Sequence, residues 1–233
     1  MRRREQEERS APRNDGRAQA RRESTSLNPF LCYNVDMIIL FGLAGSGKGT
    51  QAKALSEIFG WRTFSVGQVI RDTGEYANII DKGGLIPDDD VIRLMTKQIE
   101  VANAEGYDVI LDGYPRTDYQ AQWLMENMKD DISGAIILEV PKAELYQRLE
   151  LRGREDDKSK DAIDRRWEIF EQNIVPILKL LEQNQIPVKR VDGVGEVEAV
   201  TSRLVAAVQE LDPAATQQLD DVNGEEIEKS YGE

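Results

Sequence analysis

Histidine is absent from all 233 residues, and cysteine occurs once, at Cys32. These two gaps exclude histidine-based triads, imidazole metal sites and imidazole general bases. They also exclude an internal disulfide framework and a cysteine cluster for zinc or an iron–sulfur centre. No apolar run approaches the roughly 18 residues that a membrane-spanning helix needs. Basic residues are in deficit, 30 against 43 acidic ones, for a net charge of −13. That balance opposes sequence-independent binding to nucleic acid. Any chemistry must run on Lys, Arg, Asp, Glu, hydroxyls, backbone amides and a metal they can hold.

What is present suits a compact soluble domain, with 40% hydrophobic and 31% charged residues in a chain long enough to bury a real core. The ends differ from the middle. Residues 1–36 hold eight Arg and six acids and have almost no apolar residue before Leu27. Such a segment cannot bury enough to order itself, and it lacks the apolar stretch of a secretory signal. Two readings of it stand: a disordered extension, or residues upstream of a true start at Met37. Residues 212–233 carry seven acids and one Lys, and Asp212-Pro213 is a helix stop, so they read as a disordered tail.

Between the ends, strands alternate with helices. Met37–Phe41, Asp108–Asp112 and Ala135–Val140 are apolar runs of the kind buried in a parallel sheet. Phe64–Val66 and Pro187–Val191 complete about five strands. Helical spacing covers 51–59, 88–104, 120–129, 142–151, 158–181 and 194–211, with short helices at 68–71 and 78–80. Pro176 falls inside the 158–181 segment, where it kinks or divides a helix. The alternation predicts an α/β fold with a parallel sheet and helices on both faces, in three layers.

The first strand runs straight into Gly42-Leu43-Ala44-Gly45-Ser46-Gly47-Lys48-Gly49-Thr50 and then a helix. This is the phosphate-loop pattern, with the hydroxyl one place later than usual, at Thr50. Glycines let backbone N–H groups converge on a phosphate, the helix opening near Lys48 turns its positive end toward the anion, and Lys48 reaches the β- and γ-phosphates. A bare glycine turn leaves Lys48 unexplained. A dinucleotide fingerprint needs an acid about 20 residues on, at the end of the second strand, and Gly60–Val66 offers none.

Gly42–Gln51 resembles the phosphate loop of adenylate kinases and their relatives, the UMP/CMP kinases. Leu111-Asp112-Gly113-Tyr114-Pro115-Arg116-Thr117 resembles the signature those families carry after the third strand. The likeness runs from Met37 to about Leu211. It implies a P-loop NTPase fold, an acceptor-binding insert at about 66–95, a lid at about 152–163, and reversible phosphoryl transfer from Mg-ATP to AMP. By the same resemblance, Gly45, Ser46, Gly47, Lys48, Gly49, Thr50, Arg148 and Arg152 hold ATP. Val66, Arg71, Gly84, Ile86, Gly113, Arg116 and Gln120 hold the acceptor, with Gln120 on the adenine edge. Asp112 orients the hydrated Mg²⁺ that ATP carries, with help from Thr50. Arg154 and Arg166 close on the transferring group; Arg166 fits the family spacing better than its neighbour Arg165. Asp156 and Asp157 resemble a lid-hinge pair. Bottom-up chemistry agrees, because phosphoryl transfer asks for positioning and cations rather than covalent help, and Arg offers bidentate phosphate recognition. The resemblance also implies a cytoplasmic monomer with ATP and AMP as partners, while the acidic balance, the lack of a long apolar run and the lack of Cys and His ligands argue for no nucleic acid, no membrane and no zinc.

The sequence departs from the family at several places. Ala44 stands where proline is usual, Val66 where a threonine is common, and Gln68 where an acid is usual. Gly153 alone separates Arg152 from Arg154, so the lid is very short. Three other functions remain open to the sequence: a UMP/CMP or broad-specificity kinase, a non-catalytic nucleotide-binding protein, and a P-loop hydrolase, which would need a water-positioning residue not evident here.

Overall fold

A computed structural model describes residues 35–215, apart from residues 81, 83, 154–156 and 158. The predicted Arg154 and Asp156, residues 1–34 of the N-terminal stretch and residues 216–233 of the tail lie outside the described residues.

Strand β1 (Met37–Phe41) leads into α1 (Lys48–Phe59), β2 (Arg62–Ser65), α2 (Val66–Thr73), α3 (Ala77–Ile80) and α4 (Asp88–Glu105). Then come β3 (Val109–Asp112), α5 (Asp118–Met128), a 3-10 turn (Lys129–Asp131), β4 (Ile132–Glu139), α6 (Lys142–Arg152), α7 (Lys160–Gln183), β5 (Val188–Asp192) and α8 (Val197–Leu211). All strand pairs are parallel, in the order β2-β3-β1-β4-β5.

Strand β1 lies in the middle, and every one of its residues is buried. Side chains alternate across a sheet, so Met37, Ile39 and Phe41 enter one layer, with α2, α4, α5 and α7. Ile38 and Leu40 enter the other, with α1 and α8. That double burial is why the strand reads as an unbroken apolar run rather than an alternating one. A smaller cluster of Leu145, Leu149, Ile163 and Trp167 joins α6 to α7, and Leu43 and Ala44 pack against it. The predicted three-layer P-loop NTPase fold is therefore the observed one.

The structure departs from the expected pattern in several places. Strand β4 begins at Ile132, three residues before the apolar run, because Ser133 and Gly134 interrupt the pattern. Gly134 is there for packing: a methyl on it would stand 2.7 Å from Leu211 Cδ2. Strand β2 spans Arg62–Ser65, and Val66 already opens α2. Pro176 does not divide α7, which is continuous over Lys160–Gln183. Its apolar face is buried on both sides of the proline, by Ile163 and Trp167 before it and Ile177 and Leu181 after it, which offsets the roughly 3 kcal/mol an interior proline costs. Finally, the packed body exceeds residues 37–211. Val35 and Asp36 are buried before it and Asp212 and Ala215 after it. The Asp36 N–H donates to Asp108 Oδ1 at 2.8 Å, and the Asp36 carbonyl accepts from Val109 N at 2.8 Å.

Candidate active site

The carboxyl ends of β1 and β3 open into one cleft of about 830 Å³, the place where parallel α/β sheets bind ligands. The loop after β1 forms its floor. Gly45 has φ +91°, and a methyl on it would meet Leu149 Cγ at 2.9 Å and the Leu145 carbonyl at 3.0 Å. Only glycine tolerates both the dihedral and the contact. Gly47 caps α1 with φ +92°. The Lys48 ammonium turns back over the loop and donates to the carbonyls of Gly42 at 2.6 Å and Leu43 at 3.0 Å. Burial lowers its pKa to about 8; Asp112 opposes the fall, while Arg116, Arg152 and Arg166 add to it. A lysine so placed has its charge held in readiness for an anion.

Asp112 ends β3 with its side chain buried, and its Oδ2 would lie 3.8 Å from a methyl on Gly49, at the first turn of α1. The next residues turn sharply and present Arg116. Its Nε donates to the Gly113 carbonyl at 2.9 Å. Burial pushes its pKa down, Asp112 opposes this, and the cations Arg71 and Arg166 reinforce it. Arg71 comes from α2 on the other side. A methyl on Gly67 would stand 3.4 Å from Arg71 Nη1 and 3.5 Å from Arg116 Nη2, so the two guanidinium groups flank that glycine. Two forks converging there suit a phosphate dianion.

A polar chain holds Arg116 from behind. Gln120 is buried; its Oε1 accepts from the Arg116 N–H at 2.8 Å and its Nε2 donates to Asp88 Oδ1 at 2.7 Å. Thr117 caps α5 and donates its hydroxyl to the same Asp88 oxygen at 2.9 Å. One lone pair and one N–H of the Gln120 amide are uncommitted by these bonds. Val66, Gly84, Ile86 and Gly113 line this side of the cleft together with Gln120.

The opposite wall comes from α6 and α7. Arg148 donates to the Ser46 carbonyl at 3.3 Å and the Gly193 carbonyl at 3.0 Å, and pairs with Glu144. Arg152 and Arg166 share the carboxylate of Asp157. Burial alone would push that carboxyl up, but the hydrogen bonds and charges of Arg152 and Arg166 hold it below its usual value. Arg166 lines the cleft, whereas Arg165 is exposed.

Of the residues expected to hold phosphates, Gly45, Gly47, Lys48, Gly49, Thr50, Arg148 and Arg152 line the cleft. The Ser46 side chain does not. Its Oγ is buried without a hydrogen-bond partner on the Gly42 side, so only its backbone faces the loop's neighbours. Gln68 is exposed; it accepts from Arg71 at 3.2 Å and donates to Asp72 at 2.6 Å. Three features escaped sequence reasoning. Asp88 sat in a run of three acids that reads only as a charged helix start. Trp167 carries no mark of its own within the long helical segment, yet its indole donates to the Ala44 carbonyl at 3.2 Å. Phe170, Ile174 and Ile177, on the same helix, also line the cleft.

Comparison with known proteins gives a consistent picture. A family model described as adenylate kinase matches residues 40–186. An adenylate kinase of Thermus thermophilus is 34% identical over 186 residues, covering 73% of this chain and 96% of the relative. An adenylate kinase of Maricaulis maris is 36% identical over 187 residues, covering 74% and 98%. One from Synechococcus sp. is 32% identical over 182 residues, covering 73% and 97%.

Proposed function

The chain belongs to the adenylate kinase family, and from that premise we propose that it transfers the terminal phosphoryl group of Mg-ATP to AMP, giving two ADP. Membership carries phosphoryl transfer between nucleotides as the general activity. What supports the finer reading is one observation: Lys48, Arg71, Arg116, Arg148, Arg152 and Arg166 converge on a single cleft beside Asp112.

In this reading the loop amides and Lys48 hold the donor β- and γ-phosphates, and Arg148 and Arg152 flank them. Arg71 and Arg116 hold the AMP phosphate. An oxygen of that phosphate attacks the γ-phosphorus, the bond to the β–γ bridging oxygen breaks, and the electron pair leaves with ADP. Negative charge spreads over the transferring group, where Arg166 offers a cation; the proposal gives Arg154 the same task. Mg²⁺ enters with ATP as part of the substrate. Asp112, a carboxylate at the mouth of the loop, orients the water around it, and Thr50 stands on the adjacent turn. The uncommitted N–H and lone pair of Gln120 match N1 and the N6 amino group of adenine. Residues 66–95 act as the acceptor-binding insert and 152–163 as the lid.

A steady-state assay of Mg-ATP against AMP, CMP, UMP and GMP tests the proposal. AMP should be the preferred acceptor, and Lys48→Ala should lower turnover at least about 100-fold. Preferred turnover of CMP or UMP would reassign the acceptor. ATP binding with no acceptor phosphorylated would overturn the transfer reading.

A further inference from the structure

The phosphate loop is held by its carbonyls. Lys48 takes those of Gly42 and Leu43, Arg148 of α6 takes that of Ser46, and Trp167 of α7 takes that of Ala44. Trp167 is 2% exposed and sits behind the loop, in the cluster with Leu145, Leu149 and Ile163. Tyr146 lies against it at 4.5 Å between ring centroids and is itself anchored to Asp164. The indole is therefore a fixed donor and not a mobile one.

A trans peptide unit points its C=O and the following N–H in opposite directions. Drawing the Ala44 carbonyl back toward Trp167 therefore turns the Gly45 N–H away from that cluster, to the side where Gly45 borders the cleft. The unit lies between a residue without a ring and a glycine at φ +91°. Glycine gives little resistance to rotation of the preceding peptide, so the orientation needs an external restraint.

We propose that Trp167 is a positioning residue for the donor nucleotide: its indole N–H locks the Ala44–Gly45 peptide so that the Gly45 amide faces the donor phosphates. The tether also sets the loop against α7, the helix that carries Arg166. The inference rests on the reading that this loop holds ATP phosphates, and it adds a residue that touches neither nucleotide.

The test is calorimetric titration of the full chain with ATP and, separately, with AMP. Trp167→Phe removes the N–H and keeps an aromatic ring. A second variant carries benzothienylalanine at 167, which keeps the fused-ring shape and lacks only the donor, so it answers the question even where the smaller ring unsettles the fold. Both should weaken ATP binding roughly fivefold and leave AMP binding within about twofold, as loss of one neutral hydrogen bond implies. Unchanged ATP affinity in the isosteric variant overturns the proposal. Equal weakening of ATP and AMP also overturns it, since that marks a packing role. Wild-type protein that binds ATP but transfers nothing would remove the kinase reading, while the tether is still decided by the two affinities.

Discussion

Arg152 meets Asp157 side-on, its Nε donating to Oδ2 at 2.6 Å and its Nη2 to Oδ1 at 2.7 Å. Arg166 Nη2 reaches the same Oδ1 at 2.9 Å. One carboxylate, with its side chain 2% exposed, thus holds two cations of the cleft wall. Asp157→Asn leaves a single acceptor oxygen and sets an NH2 against a guanidinium. Phosphotransfer should fall at least about tenfold, because both arginines lose their aim, and stability by about 2 kcal/mol. Steady-state rates and urea melts check the two effects.

The depressed pKa of Asp157 fixes the sign of a pH effect. A carboxylate held below its ordinary value of 3.8 contributes stability that is fully present above that value and is lost as pH falls through its own lower one. Urea midpoints followed from about pH 5 to about pH 2.5 should drop less steeply in Asp157→Asn than in the wild type. Parallel acid limbs would remove Asp157 from the account.

Lys48 is also shifted downward, but there the folded state disfavours the charged form. With a pKa of about 8 in the folded protein against 10.5 ordinarily, the folded state binds fewer protons than the unfolded one between those values. Its contribution to stability therefore rises with pH through that interval. ATP affinity should move the other way: level below pH 8, then falling by up to about tenfold per unit as the ammonium loses its proton. Titrations in Lys48→Met should show neither slope.

Asp88 accepts from Gln120 at 2.7 Å and from Thr117 at 2.9 Å through one oxygen. Asp88→Ala frees both and loosens the support behind Arg116, so the KM for AMP should rise about tenfold with that for ATP within about twofold. Asp88→Asn keeps an acceptor oxygen and should stay near wild type. An alanine variant that raises both KM values equally would show general loosening instead.

Residues 35 and 36 belong to the packed body, so a chain begun at Met37 should be less stable than one begun at Val35. It loses the buried Val35 side chain, the Asp36 N–H on Asp108 and the Ser133 hydroxyl on Asp36 at 3.1 Å. About 3 kcal/mol is expected from one buried aliphatic side chain and the hydrogen bonds together. Comparing thermal melts of the two truncations measures it.

Local pattern carried most of the fold into view. The apolar runs of β1, β3 and β4 and the loop between β1 and α1 are decided within a few residues, by burial on both faces and by glycine geometry. The pattern failed where one residue answered to a distant partner. Gly134 broke the β4 run because Leu211 of α8 fills the space its side chain would take. Pro176 looked like a helix break, yet packing on both sides of it outweighs a missing hydrogen bond.

The site divides in the same way. Lys48 stood out in the sequence through the phosphate-loop pattern, and Asp112, Arg71, Arg116, Arg148 and Arg166 through the resemblance to adenylate kinases. Asp157 was visible only as half of a pair resembling a lid hinge, and Asp88 and Trp167 have no local mark at all, since their meaning lies in the partner: Gln120 is 32 positions from Asp88, and Ala44 is 123 from Trp167. The sequence by itself determined the strand order of chemistry along the chain, the phosphate loop and the supply of cations. Only the tertiary structure decided which carbonyls, amides and guanidinium groups are held still, because a hydrogen bond between distant residues exists only once the sheet has brought their helices together.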